Sequence, residues 1–136
     1  IKISDGEYFD AEYGLFYEDL DLNWRANRFG WRAYYNPKAI AYHLRGSSVR
    51  LNKPAFSLFR YFQFCCLSPE HKLMLFKNRY ATLIKNETLI TFLRNFFFVF
   101  LYDFCLWFYI FLFEPNLVLK FSKEVKFLYS SFKKRR

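Results

Sequence analysis

The sequence predicts an α/β beginning, a short helix followed by a β-hairpin, and a mostly helical extension after it. Three observations lead there. Within Tyr17 to Phe29, carboxylates open and Gly30 closes a segment whose apolar residues recur at helical spacing. Two short alternating segments then flank Asn36-Pro37-Lys38. From Pro54 onward, long apolar stretches are interrupted at Ser68-Pro69, Asn86-Glu87-Thr88 and Glu114-Pro115.

Each element follows from its residues. Glu18, Asp19 and Asp21 fall in the first helical turn, where carboxylates suit the positive end of the helix dipole. Asp21 and Arg25 stand four apart in the favourable acid-then-base order, which predicts a structural pair. Leu22, Ala26 and Phe29 form the apolar stripe, and Gly30 is the expected left-handed stop. In "WRAYYNP", Trp31, Ala33 and Tyr35 alternate with Arg32 and Tyr34, and "AIAYH" alternates again, which predicts two strands around the turn. A polar loop, "LRGSSVRLNKP", closes this first region, residues 1–53. The second region, 54–136, begins with a helix predicted over Ala55 to Leu67. Ser68 as N-cap and Pro69 at the first position start the next, to about Lys85. Thr88 caps a third from Leu89 to Phe113, which Glu114-Pro115 ends. A single amphipathic helix is predicted over Leu117 to Phe132, running into "KKRR".

Composition narrows the function classes. The chain has 136 residues, one domain's worth. Aromatics are 25% of it, with only 4 Gly and 4 Pro, which argues against a disordered chain. The formal net charge of +9 points to an anionic partner. Cys65, Cys66 and Cys105 lack metal-ligand spacing and read as packed thiols in a reducing compartment. The chain opens at Ile1 on a polar stretch, and its only methionine is Met74, so we expect a fragment.

The run from Phe96 to Phe113 approaches the length of a membrane span, but Asp103 in its middle and the abundance of Phe, Tyr and Trp favour an interfacial or protein-buried helix. In the tail, Val118, Phe121, Val125, Leu128 and Phe132 recur at helical spacing among seven Lys and Arg, the pattern of a helix lying on an anionic membrane. We therefore expect the 54–136 extension to be membrane-associated, with the protein peripheral on the cytoplasmic face of the plasma membrane. The alternative is a solvated face packing on its own domain.

The ordered series Phe9-Asp10, Glu18-Asp19-Leu20-Asp21-Leu22, Trp24-Arg25, Gly30-Trp31, Asn36-Pro37 and Tyr42-His43 resembles the acceptor-side half of family 2 glycosyltransferases of the GT-A fold, of the rhamnosyltransferase-like kind that builds bacterial surface polysaccharides. The likeness covers about the first 50 residues and continues loosely through "FKNRYATLIKN", similar to the family's Arg-Asn helix although the order in this chain is Asn78-Arg79. It implies inverting transfer of a sugar from a nucleotide-sugar to a hydroxyl of a glycan or lipid-linked acceptor. It also implies that Asp19 is the general base, with Glu18 beside it raising its proton affinity by like-charge proximity. Trp24, Arg45, Ser47, Ser48 and Arg50 are candidate contacts to substrate or diphosphate; the four loop residues read equally as a solvated basic loop. His43 is a candidate ligand for a divalent metal, Mn²⁺ or Mg²⁺, or a contact to the diphosphate; it reads equally as a strand-end histidine bonded to backbone. The family's nucleotide-binding half and its Asp-x-Asp metal motif have no counterpart in these residues, since Asp19-Leu20-Asp21 lies inside the Glu-Asp element. As 136 residues alone the chain is expected to be inactive.

Two rivals stand beside this reading. A non-catalytic membrane-surface remnant or interaction module of a truncated glycosyltransferase would carry the same motifs. A nucleic-acid binder is disfavoured, because the aromatics cluster in runs such as Phe96-Phe97-Phe98 and are not interleaved with Lys and Arg.

Overall fold

The computed structural model describes residues 8–42, 64 and 67–135. They form five helices: α1 (Glu18–Arg28), α2 (Pro69–Asn86), α3 (Leu89–Phe113), α4 (Pro115–Ser122) and α5 (Val125–Lys133). Local chemistry sets most of the boundaries. Ser68 Oγ accepts from the His71 N–H (3.3 Å) to start α2, with Pro69 at its first position. Thr88 and Thr91 bond reciprocally in a capping box to start α3. Pro115 cannot continue α3 and instead opens α4.

The α/β expectation is corrected: no strand occurs among the described residues, and the predicted hairpin is absent. Residues 31–42 run without strand pairing, and every side chain in them is exposed. The turn itself forms, with Asn36 accepting from the backbone N–H of Lys38 on its side chain (3.0 Å) and of Ala39 on its carbonyl (3.1 Å). Alternation alone does not hold two short strands together in water; a hairpin needs a third strand or a helix over one face. No described residue covers this segment. The helix expected over Ala55 to Leu67 falls almost entirely outside the described residues.

A second correction concerns the tail. The helix predicted over Leu117 to Phe132 is two helices, broken at Lys123-Glu124. No Gly or Pro marks the break. Its cause is tertiary: Phe121 packs on Phe76 and Tyr80 of α2, while Glu124 pairs with Lys77 (3.2 Å), so the chain bends to follow α2.

Helix α2 is the centre of the molecule. Its apolar side meets the core of Phe64, Phe76, Leu106, Ile110 and Leu117, edged by Trp107 and Phe121. Its contacts fix the direction of α3: Lys72 pairs with Glu114, Arg79 Nε meets Asp103 (2.8 Å), and Tyr80 accepts from Trp107 Nε1 (2.8 Å). The first turn of α2 meets the end of α3 and the middle of α2 meets residues 103–107, so α3 runs back past α2. The opposite side of α2 faces α1 and the loop 8–17, and that side is polar.

Candidate functional site

Helix α1 begins in an unusual way. Phe16 and Tyr17, directly before Glu18, both have φ of 69°, in the left-handed region that non-glycine residues rarely adopt. Each such residue costs on the order of 1 kcal/mol and persists only where the surroundings fix it. Asn78 of α2 supplies that fixation. Its side-chain amide donates to the carbonyls of Tyr13 (2.9 Å), Leu15 (2.7 Å) and Phe16 (2.9 Å), pinning the whole turn to α2.

Beneath the turn lies a buried polar network. Asp21 is fully buried and accepts from Arg25 Nε (2.8 Å), Lys85 Nζ (3.0 Å) and Asn86 Nδ2 (2.8 Å). Lys85, 3% exposed, also reaches Asp10 (2.8 Å), which is 4% exposed. Lys134, just past α5, closes the far side with bonds to Asp10 and Glu12, both 2.8 Å. Tyr13 stands between, donating to Asp21 (3.4 Å) and accepting from Thr82 (3.0 Å). Two buried carboxylates thus face two ammonium groups and a guanidinium, which is how buried charge is tolerated.

The titration of the network follows from these contacts. Burial alone would push the Asp10 carboxyl up, but the Lys134 and Lys85 ammonium groups outweigh it and hold it below its ordinary 3.8. Burial would likewise lower Lys134, and the carboxylates of Asp10 and Glu12 hold it above its ordinary value instead. For Tyr13, burial dominates; with Asp21 and Asp10 nearby it pushes the phenol well above the usual range, against a lowering bond from Thr82.

The residues expected to carry chemistry stand apart from this network. Asp19 is exposed at the start of α1, its Oδ1 accepting from the Leu20 N–H (2.7 Å). Glu18 is half-buried, and its Oε2 is enclosed without a partner among the described residues. Trp24 is half-buried further along α1. His43, Arg45, Ser47, Ser48 and Arg50 lie outside the described residues. Among the described residues no group of three His, Cys, Asp or Glu could hold a metal ion. A cavity of about 390 Å³ lies elsewhere, between the end of α2 and the start of α3, lined in part by Tyr80, Ile84, Phe92, Val99 and Arg135.

Sequence reasoning placed the Asp21–Arg25 pair, which the structure forms, but missed most of its partners. Asn78, Thr82, Lys85 and Asn86 recur at intervals of four, three and one along α2, a polar stripe at helical spacing. That stripe was the available signal. The network also joins residues on both sides of position 53. Comparison of the chain with protein-family models, with curated proteins and with solved structures gives no match.

Proposed function

We propose that this chain is the acceptor-side part of an inverting glycosyltransferase that moves a sugar from a nucleotide-sugar to a hydroxyl of a glycan or lipid-linked acceptor in surface polysaccharide or glycolipid assembly. One observation carries the reading. The polar residues of the motif series divide into two sets: Asp10, Asp21 and Arg25 are buried with Asn78, Lys85 and Asn86, while Glu18 and Asp19 stand at the mouth of a helix whose strained start is clamped in place. Positional strain of this kind accumulates where a neighbouring group must be aimed.

The chemistry needs little else from this segment. The acceptor O–H gives its proton to the Asp19 carboxylate as the oxygen attacks the anomeric carbon. The new C–O bond forms on the face opposite the nucleotide, the bond to phosphate breaks, and the nucleoside diphosphate leaves with that electron pair. A single displacement inverts the carbon. Asp21, committed to Arg25, Lys85 and Asn86, has no lone pair aimed at solvent and acts as a support.

The test uses a protein that carries this segment together with a nucleotide-binding half. Asp19→Asn should lower transfer by about 10²- to 10⁴-fold, the range for loss of a positioned general base, with donor affinity retained. Transfer at the unsubstituted rate would overturn the assignment and leave the rival, a non-catalytic module, in its place.

A further inference from the structure

We infer that α3 lies in the plane of an anionic lipid bilayer, its outer face sunk among the acyl chains and α2 behind it on the water side. This goes beyond glycosyl transfer and does not depend on it.

The helix has 25 residues and is long and apolar enough to cross a membrane, yet only 11% of its most apolar 18-residue stretch is buried. Its outer face shows Ile90, Phe97, Phe98, Leu101, Phe108 and Leu112, each between 48% and 80% exposed. Phe96, Phe100, Phe104 and Phe108 form a stacked ladder along one flank, ring to ring at 5.8 to 6.4 Å. A continuous apolar face of this size is not left to water in a soluble chain.

Charge selects the occupant. The carboxylates on α3 and at its end, Asp103 and Glu114, are both turned inward onto Arg79 and Lys72 of α2. The one ionised side chain exposed on α3 is Arg94, and α4 alongside exposes Lys120. The exposed side chains of α3 itself are therefore apolar apart from the Arg94 cation, and Lys120 of α4 adds a second cation with Glu70 of α2 near it, a surface that complements acidic headgroups above acyl chains. A second copy of this chain would bring +9 against +9.

Geometry selects the orientation. Lys72–Glu114, Arg79–Asp103 and the Tyr80–Trp107 bond tie α2 to the C-terminal half of α3 and its cap, residues 103–114. Were α3 to cross the bilayer, that tied half would draw Lys72 and Arg79 of α2, with Lys77 on the helix turn between them, toward its depth. Intramembrane charges are expensive. Lying flat, α3 keeps all of them on the aqueous side.

The experiment attaches a nitroxide to a single cysteine at position 90, 98, 105 or 112, using native Cys105 and Ile90→Cys, Phe98→Cys and Leu112→Cys. The other cysteines are changed to serine. All four side chains are exposed and fall on one side of the helix, so labelling leaves the core intact. Collision of each label with oxygen and with a water-soluble relaxant is read on phosphatidylcholine–phosphatidylglycerol vesicles. The four labels should report one common shallow depth. A depth that grows steadily along the helix, or passes through a maximum in its middle, would establish a span and overturn the inference. Labels that remain in water on bound vesicles would assign docking to another surface, and immobilisation without vesicles together with a doubled mass would assign the face to a second copy; either overturns it. Phe98→Asp with Phe108→Asp should cut vesicle partition by about tenfold or more, with helical circular dichroism retained; unchanged partition overturns it as well.

Discussion

Lys85 holds two carboxylates at once, Asp10 at 2.8 Å and Asp21 at 3.0 Å, in a site closed to water. Replacing it by methionine keeps much of the volume and removes the one cation the two buried carboxylates share, leaving Asp10 to Lys134 and Asp21 to Arg25. Removing one partner of a buried ion pair costs about 3–5 kcal/mol, and Lys85→Met should lower the unfolding free energy by that order in urea denaturation. Asp19→Asn, at an exposed position, should stay within about 0.5 kcal/mol of the unsubstituted chain in the same titration. If the two variants were equally stable, the network would not be what holds α1 in place. The network also sets a pH response. Asp10 titrates below its ordinary 3.8 in the folded state, so its contribution is present above that value and is lost as pH falls through the depressed one. Lys134 titrates above its ordinary value, so its contribution is complete below that value and is lost as pH rises through the raised one. Stability should therefore fall at both acid and alkaline extremes, and Asp10→Asn should flatten the acid limb. An unchanged acid limb in Asp10→Asn would remove Asp10 from the account. Little of this could be read from the chain. Asp21–Arg25 was legible because both partners sit on one helix at a known spacing. Asn78, Lys85 and Asn86 were not, because a polar stripe on a helix looks the same in sequence whether it faces solvent or a buried carboxylate.

At the scale of single elements, legibility tracks how local the cause is. Both ends of α3 and the start of α2 match the sequence expectation because caps and prolines act within a few residues. The hairpin fails because strand pairing needs a third partner that alternation cannot announce. The break between α4 and α5 was invisible because its causes, Lys77 and Phe76, lie far upstream on another helix. Local causes also give sharp tests. Thr88 Oγ accepts from the Thr91 N–H at 3.2 Å, and the Thr91 hydroxyl accepts from the Thr88 N–H at 3.2 Å. Thr88→Ala should cost about 0.5–2 kcal/mol. Because the cap serves only the first turn, amide exchange should accelerate near 89–92 and remain slow near Ile110, which is fully buried. Uniform acceleration along α3 would mean that packing, and not the cap, sets where the helix begins.

Across the whole molecule, the chain's last helix braces its earliest described segment. Lys134 bonds Asp10 and Glu12, Ser130 donates to Glu12, and Phe127 meets the Tyr13 ring edge-on at 6.1 Å. Arg135 donates to the carbonyls of Ile84 and Glu87 at the end of α2. The loop 8–17 is thereby gripped from two sides, by Asn78 from α2 and by α5 from the tail. A chain ending at Lys123 keeps the first grip and loses the second. It should unfold about 2–4 kcal/mol more easily, given one aromatic contact and several half-exposed ion pairs lost. The loss should also be directional: protease cleavage within 8–17 should appear before cleavage in α2 or α3, since α2 also loses α5 but keeps its helical hydrogen bonds and its core packing, whereas 8–17 is a loop. Lys134→Met, whose side chain is 36% exposed, should reproduce only a small part of the destabilisation because solvent already screens that pair. If the shortened chain melted at the full-length midpoint with the loop still protected, α5 would be an appendage, and α2, through Asn78, Thr82, Lys85 and Asn86, would hold the loop and the strained start of α1 unaided.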